Sequence, residues 1–281
     1  MRLKRETNEQ DAMKTTPFRR SLKKKKIVFL DLDGTVYLGN HLIDGSAQFL
    51  GFLEQNKVPH CFLSNNSSRS KRAYVEKLSR LGISAHEEQI ILSTDGVIEF
   101  LKSKQINDAY IVGTRSMKQM FYDAGIHPES RRPKYVVIGY DTELTYEKLR
   151  KASLFLLNKA QLIATHCDVV CPTPEGPVPD AGSMLALFEK ATGRQPAKIF
   201  GKPNPEMIGH ILKKQNASPK DTVIMGDRIY TDMELANRIG CDFVLVLSGE
   251  TKPADVEKLA RKPALIVNNL GEIISRGPEE R

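Results

Sequence analysis

Four short stretches of this chain carry side chains that could together bind and cleave a phosphate ester. In chain order they are DLDGT (Asp31–Thr35), SNN (Ser64–Asn66), GKP (Gly201–Pro203) and GDRIYTD (Gly226–Asp232). The first and last stretches hold four aspartates, the second a hydroxyl and two amides, and the third a lysine. Each stretch alone also has an ordinary structural explanation, so the prediction depends on the whole set.

Asp31 and Asp33 stand at the end of an apolar run that begins at Ile27 and predicts a buried strand. In parallel α/β sheets, ligands gather at the carboxyl ends of strands. Two carboxylates this close repel each other unless a cation lies between them, and Mg²⁺ prefers such oxygens. An aspartate can also attack phosphorus, while a second one transfers the proton of the leaving group. The alternative is an ordinary turn stabilised by an aspartate side chain.

Ser64, Asn65 and Asn66 follow the second predicted strand and precede a helix. Their hydroxyl, amide and backbone N–H donors suit a phosphate oxygen, although the same residues make a good loop and helix cap. Lys202 of the GKP stretch could neutralise a phosphoryl group. A single lysine, however, is most often a solvated surface residue.

Asp227 and Asp232 bracket a turn that follows the predicted strand 222–225. Asp227 could complete a metal site at the strand end. Asp232 could hold Lys202 or a metal-bound water, or it could simply stabilise a helix N-terminus by about 0.3–1 kcal/mol. Four carboxylates would gather a charge of about −4, and a phosphate monoester adds up to about −2. One Mg²⁺ and one lysine relieve that repulsion, so the charges favour a joint phosphate site with Mg²⁺ as cofactor.

Strand-like and helix-like segments alternate from Lys26 onward. Apolar β-branched runs such as 243–247 predict strands buried on both faces. The apolar spacing of 68–81, followed by Gly82, predicts a helix that ends at the glycine. This alternation predicts an α/β protein with a Rossmann-like, doubly wound parallel sheet.

The chemical stretches lie toward the two ends of the chain, and the middle contains none of them. We therefore predict a catalytic core formed by 26–104 and 194–281, interrupted by an inserted α/β domain at 105–193. Residues 1–26 carry +7 of the total net charge of +8, so the rest of the chain is nearly neutral. Because 1–25 contains few apolar side chains, we predict a basic, disordered tail there.

Composition excludes several classes of protein. The chain has 281 residues, of which 40% are hydrophobic and 27% charged, as in a globular protein with a sizeable core. No run of about 18 apolar residues is present, so no membrane span is expected. The four cysteines match no zinc-binding spacing and suggest a reducing, cytoplasmic compartment. The basic tail lacks interleaved aromatic residues, so nucleic acid is not a favoured partner.

These residues give the chain a resemblance to the haloacid dehalogenase superfamily of phosphatases, and more narrowly to the NagD-like or p-nitrophenyl phosphatase group. The resemblance covers residues 26–272. It rests on the order of the four stretches, on DLDGTVYLG and GDRIYTD, and on EGPVPDAGS at Glu175–Ser183 followed by TGR and GKPNP. It implies that the inserted domain is a cap that contacts the leaving group, and it allows a homodimer formed through that cap.

The resemblance also implies a role for each aspartate. Asp31 would be the nucleophile and a metal ligand. Asp33 would be the acid/base and would bind the metal through its backbone carbonyl. Asp227 would bind Mg²⁺, and Asp232 would support that set of ligands.

By the same resemblance, Ser64 and Asn65 would hold the phosphate, with Asn66 beside them, and Lys202 would steady it. One departure concerns specificity. Members of the group often read Thr-Asn-Pro-Asp where this chain has THCD at Thr165–Asp168. We expect this loop to face the site, and its histidine either contacts the substrate or has no such role.

Together these observations predict a Mg²⁺-dependent phosphomonoester hydrolase that acts through an aspartyl-phosphate on small phosphometabolites, such as a sugar phosphate or a nucleotide. Two alternatives stay open. A phosphomutase would form the same intermediate but would need a returning hydroxyl to compete with water. A non-catalytic binding protein on this fold would not need the complete set of residues.

Overall fold

The structure is a computed structural model that describes residues 17–173 and 175–275. The chain divides into two compact units. The first comprises the chain up to Leu63, together with Leu78–Gln89 and the residues from Ile208 onward. The second comprises Ser64–Lys77 and Ile90–Met207.

This division by packing differs from the predicted core and insert. The second unit contains the whole of the predicted insert, 105–193, but also 90–104 and 194–207 on either side of it. It contains the segment 64–77 as well, and therefore the SNN stretch. The core and cap boundaries drawn from the sequence stay a prediction.

The strands of the described chain are short. They are β1 Ile27–Asp31, β2 Tyr37–Leu38, β3 His41–Leu42, β4 His60–Ser64, β5 Ile90–Leu92, β6 Tyr110–Val112, β7 Tyr135–Ile138, β8 Gln161–Ala164, β9 Val170–Thr173, β10 Gly176–Pro179, β11 Lys198–Ile199, β12 Thr222–Gly226, β13 Asp242–Val246 and β14 Leu265–Val267. Most are followed by a helix, as the alternation in the sequence predicts.

Helices follow most of these strands. They are α1 Ser46–Gln55, α2 Lys71–Arg80, α3 Ser93–Ser103, α4 Arg115–Asp123, α5 Tyr146–Leu157, α6 Ala181–Thr192, α7 Glu206–Lys214, α8 Glu234–Ile239 and α9 Pro253–Glu257, with a π-helical turn at Ile229–Met233. Side chains of Thr114, Thr145 and Asp180 cap the helices that they precede. None of the helices in the described ranges has both the length and the apolar composition that crossing a bilayer requires.

The sheet of the first unit places two of the chemical stretches side by side. Its parallel strands have the order β14-β13-β12-β1-β4. Phe29 of β1 lies opposite Ile224 of β12 and Cys61 of β4. Every residue of β1 and of β12 is buried, as expected for strands covered on both faces. The carboxyl ends of β1 and β12 therefore meet at one edge of the sheet.

The second unit has its own parallel sheet, ordered β11-β8-β7-β6, and a separate antiparallel hairpin of β9 and β10. Alternate residues of β7 enter two different apolar clusters: Val136 and Ile138 join one, and Val137 joins the other. Since successive side chains of a strand point to opposite faces, this sheet is also covered on both sides. These parallel sheets confirm the predicted α/β fold class.

The structure differs from the predicted tail over 17–25. Residues 17–22 are helical, and the side chain of Leu22 is fully buried. Lys25 Nζ donates to the carboxylate of Asp242 at 2.7 Å. The buried Leu22 side chain and the Lys25–Asp242 ion pair thus help to hold this basic segment on the first unit despite its charge. The rest of the predicted tail, 1–16, lies outside the described residues.

Candidate active site

Three aspartates of the first unit come together at the carboxyl edge of its sheet. Asp31 ends β1, Asp227 follows β12, and Asp232 lies in the π-helical turn. One carboxylate oxygen of each aspartate lies within 4.8 Å of a carboxylate oxygen of the other two. They are only 8%, 2% and 0% exposed, respectively. Because β1 and β12 are neighbours in register, strand pairing explains why the first two meet.

Glycines make room for this cluster. A Cβ atom at Gly34 would lie 2.5 Å from Oδ2 of Asp227, and Gly34 has a φ of +89°, which favours glycine. A Cβ atom at Gly226 would collide with the carboxylate of Asp232. The glycines of the DLDGT and GDRIYTD stretches therefore let the backbone approach the carboxylates closely.

The surroundings of Asp227 suit a cation. Burial, followed by repulsion from Asp31 and Asp232, raises the pKa of Asp227 to about 8. Its Oδ2 accepts the N–H of Glu250 at 2.7 Å, whereas its Oδ1 is buried with no hydrogen-bond partner in the part of the chain that the structure describes. A buried carboxylate oxygen without a donor is costly, and it is the kind of ligand that a hard divalent cation prefers. The residues present therefore fit a metal ion such as Mg²⁺.

Arg228 and Glu250 border the cluster. Neither was predicted from the sequence as a residue of the site. The N–H of Arg228 donates to Oδ2 of Asp232 at 3.2 Å, and its Nε pairs with the Glu250 carboxylate at 3.0 Å. Burial lowers the pKa of Arg228, but attraction by Asp31 and other acidic groups offsets this, so its pKa is raised overall. The available signal was its position directly after Asp227 in the GDRIYTD stretch.

Asp33 has an exposed side chain and does not belong to the carboxylate cluster. It lies in a tight turn, in which the N–H of Gly34 donates to the carbonyl of Tyr37 at 2.8 Å. In the same turn the carbonyl of Leu32 accepts the N–H of Val36 at 2.9 Å. The turn fixes the backbone while the carboxyl group stays accessible, a placement compatible with proton transfer to a leaving group.

The SNN and GKP stretches meet in the second unit. Ser64, Asn65 and Lys202 are all buried there, with Lys202 only 2% exposed. The N–H of Lys202 donates to Oδ1 of Asn65 at 2.8 Å, and Nδ2 of Asn65 donates back to the Lys202 carbonyl at 3.1 Å. Two stretches 137 residues apart in the chain are thus joined by a pair of hydrogen bonds.

Asn66 and Ser64 use their side chains within the loop. Oδ1 of Asn66 accepts from the N–H of Ser68 at 2.9 Å and from its hydroxyl at 2.7 Å. The hydroxyl of Ser64 lies 3.2 Å from that of Tyr74 and accepts the N–H of Asn66 at 3.2 Å. The loop is therefore held by its own polar groups, and the assignment of these residues to phosphate binding stays a prediction.

The loop Thr165–Asp168, expected to face the site, has its histidine turned into the protein. His166 is fully buried, with Nε2 at 2.9 Å from Oδ1 of Asp180 and Nδ1 at 2.8 Å from the hydroxyl of Thr165. Both ring nitrogens are thus engaged by side chains. Of the two interpretations left open by the sequence, this geometry favours a histidine that supports the loop.

Comparisons with known proteins identify the family of the chain. A family model described as haloacid dehalogenase-like hydrolase matches residues 28–127, and a HAD-hydrolase-like model matches 199–273. A protein named acid sugar phosphatase from Staphylococcus saprophyticus is 31% identical over 255 residues, which cover 90% of this chain and 98% of that protein. The 5'-nucleotidase YutF of Bacillus subtilis is 30% identical over 254 residues, covering 90% of this chain and 99% of that protein.

Solved structures give the same result for the fold. A 4-nitrophenylphosphatase from Thermotoga maritima matches with a TM-score of 0.87 at 39% identity, covering 91% of this chain and 99% of that chain. NagD from E. coli matches with a TM-score of 0.81 at 28% identity, covering 89% of this chain and 98% of that chain. These matches span both units of the chain.

Proposed function

Because this chain belongs to the haloacid dehalogenase-like hydrolases, we propose that it is a phosphatase that hydrolyses small phosphate monoesters through a covalent aspartyl-phosphate. The observation that carries the proposal is the buried cluster of Asp31, Asp227 and Asp232. The relatives are themselves named as phosphatases and a nucleotidase. A complete set of chemical residues speaks against a binding protein that has lost its activity.

In this proposal the carboxylate of Asp31 attacks phosphorus, and the bond to the leaving oxygen breaks as the new O–P bond forms. Asp33 donates its proton to that oxygen, and later accepts a proton from the water that cleaves the aspartyl-phosphate. The exposed carboxyl of Asp33 supports this role, since it must reach a group that enters from solvent.

Mg²⁺ is the proposed cofactor, held by the carboxylates of Asp31 and Asp227 and by the backbone carbonyl of Asp33. Asp232 supports these ligands from the π-helical turn. The unpartnered Oδ1 of Asp227 supports the assignment, because three buried carboxylates need a positive charge. When bound, the ion would neutralise the charge of the phosphate group.

Phosphate binding is assigned to the side chains of Ser64, Asn66 and Lys202 and to the backbone N–H of Asn65, and the inserted segment 105–193 is assigned as the cap. A buried lysine ammonium near a phosphate would offset part of its charge. The names of the relatives favour sugar phosphates or nucleotides as substrates. The free state of all four cysteines favours a reducing, cytoplasmic compartment.

The test is release of inorganic phosphate from a panel of sugar phosphates, nucleoside monophosphates and p-nitrophenyl phosphate, with Mg²⁺ or with EDTA. We expect turnover of several esters with Mg²⁺, and none with EDTA or with the Asp31→Asn variant. Failure to release phosphate from any ester would contradict the proposal. Movement of the phosphate to another hydroxyl of a sugar, without release, would indicate a phosphomutase instead.

A further inference from the structure

The side-chain amide of Asn65 has a protein partner for each of its polar atoms. Oδ1 accepts the backbone N–H of Lys202 at 2.8 Å. Nδ2 donates to the backbone carbonyl of Lys202 and to Oδ2 of Asp168, both at 3.1 Å. An amide nitrogen carries two donor hydrogens, so these two bonds use both of them. The Asn65 side chain therefore has no donor left to offer a phosphate.

These contacts also determine which way the amide points. Turned by a half rotation, it would direct Nδ2 at the N–H of Lys202 and Oδ1 at the carboxylate of Asp168, and both contacts would be repulsive. Asn65, Asp168 and Lys202 are 7%, 9% and 2% exposed, so water is poorly placed to relieve either contact. The carboxylate of Asp168 thus selects the amide orientation that Lys202 requires.

Strand pairing explains why Asp168 and Lys202 lie close to one side chain. β11 and β8 are adjacent and parallel, with Ile199 opposite Ala164. The pairing continues past both strands, since the N–H of Gly201 donates to the carbonyl of Thr165. A Cβ atom at Gly201 would lie 2.6 Å from Oδ1 of Asn65. The two loops therefore leave the sheet side by side, and the glycine leaves space for the amide.

The far side of the Asp168 loop is fixed as well. His166 lies between Thr165 and Asp180, as described above. The N–H of Gly182, in the first turn of α6, donates to the carbonyl of Asp168 at 2.8 Å. The Asp168 loop is therefore held in place within the second unit, and the Asn65 side chain hydrogen-bonds both to Asp168 and to the backbone of Lys202.

We propose that Asn65 is a positioning residue: it holds the backbone of Lys202 in place by means of the carboxylate of Asp168, and does not bind phosphate with its own amide. The inference rests on the proposed function, because the role of Lys202 toward a phosphoryl group comes from it. Correct placement of a charged group is needed most when charge develops in the transition state. Disturbing Asn65 therefore lowers kcat more than it raises KM.

The test exchanges the donor and the acceptor. Asn65→Asp keeps the shape and the acceptor for the Lys202 N–H, but it removes Nδ2 and sets a carboxylate against Asp168. We expect kcat to fall about 30- to 300-fold with KM within about threefold. Asp168→Asn alone costs about 3- to 10-fold in kcat, since a neutral acceptor remains. In the double variant the amide at position 168 can donate to the new carboxylate, so kcat recovers at least about fivefold relative to Asn65→Asp.

Asn107→Asp, an exposed exchange of the same kind in the second unit, is the matched control and should leave kcat, KM and the unfolding midpoint unchanged. Losses that multiply in the double variant, or a loss confined to KM, would overturn the inference. If Asn65→Asp does not fold, Asp168→Asn and the double variant decide the question: a double variant less active than Asp168→Asn by more than about thirtyfold overturns it.

Failure of the proposed function would be recognised separately. If the wild-type protein releases no phosphate from any ester, the reaction is wrong, and the same variants are then compared by calorimetry for affinity toward inorganic phosphate. The inference predicts that Asn65→Asp changes this affinity by no more than about threefold but lowers the unfolding midpoint, and that adding Asp168→Asn restores part of that midpoint. Absence of phosphate binding by the wild-type protein would overturn both the proposed function and the inference.

Discussion

In the first unit, three buried aspartates lie close together, and Oδ1 of Asp227 has no hydrogen-bond partner among the described residues. In the second unit, both polar atoms of the Asn65 amide are engaged. The two regions are buried to a similar degree. They differ in charge balance: the first collects like charges, and the second pairs each donor with an acceptor. An unbalanced buried region needs a ligand to complete it, while a balanced one preserves its own geometry.

This difference separates two kinds of mutational effect. Replacing one carboxylate in the first unit relieves repulsion, so activity should be lost without loss of stability. Replacing one partner in the second unit leaves a buried polar group without its bond, so rate or stability should suffer even where no substrate is touched.

Asp31→Asn should separate activity from stability most clearly. It removes the attacking anion but keeps the shape, so phosphate release should fall by at least about 10³-fold. Because the variant also removes the Asp31 charge that repels Asp227, its unfolding midpoint in EDTA should equal or exceed that of the wild-type protein. Phosphate release and thermal unfolding measure the two effects. More than a tenth of wild-type activity, or a large drop in stability, would contradict our account of the cluster.

In the absence of metal, the pH dependence of the free energy of unfolding should reveal the repulsion among the three clustered carboxylates of the first unit. The pKa of Asp227 is raised to about 8 in the folded protein. Between about pH 5 and 8 the folded state therefore binds a proton that the unfolded state has released, so stability falls as pH rises, by up to about 1.4 kcal/mol per pH unit.

Saturating Mg²⁺ should remove or reverse this trend, since metal binding requires the deprotonated carboxylate. At a hundred times its dissociation constant the ion should add about 2.7 kcal/mol of stability. Denaturant unfolding at several pH values, with EDTA or with Mg²⁺, gives both quantities, and Asp227→Asn is the control that should show neither effect. A stability that rises with pH in EDTA would disagree with the assigned cluster.

A pair of glycine substitutions tests the packing of the second region. Gly201→Ala places a Cβ atom 2.6 Å from Oδ1 of Asn65 and 2.8 Å from the carbonyl of Thr165, so the two loops must separate. We expect a loss of about 1–3 kcal/mol in stability together with a lower kcat. Gly209→Ala, inside α7 with open space around it, should instead stabilise the protein by about 0.5–1 kcal/mol. Equal effects of the two substitutions would show that the contact at Gly201 is unimportant.

The sequence predicted the first region better than the second, and the reason is physical. The approach of Asp31 and Asp227 follows from strand order and from the rule that ligands gather at strand ends, both of which can be inferred from local patterns. The family and fold predictions are confirmed on the same basis. The hydrogen bonds of Asn65 reach Asp168 and Lys202, which lie 103 and 137 positions further along the chain. These contacts depend on how β8 and β11 pair. No local pattern indicates such a contact.

The predicted tail and the loop histidine show the same limit. Charge composition predicted disorder over 1–25, yet the side chain of Leu22 is buried in the first unit. The departure at His166 left open whether the histidine contacts the substrate, because its neighbours in the sequence belong to a loop. Whether one side chain of a loop points toward solvent or into the protein depends on a partner elsewhere in the chain, in this case Asp180.

His166→Asn applies the same contrast to the residue that supports the Asp168 loop. The imidazole is fully buried between Thr165 and Asp180, so its loss should cost about 1–3 kcal/mol of stability. Because the ring offers no nitrogen to a substrate, kcat/KM should fall by one common factor, below about tenfold, on sugar phosphates and nucleotides alike. His86→Asn, at an exposed position, is the matched control and should change neither quantity. A change of more than about fivefold in the ratio between two substrates would show that His166 takes part in recognising the leaving group, and the balanced region would then be part of the specificity site.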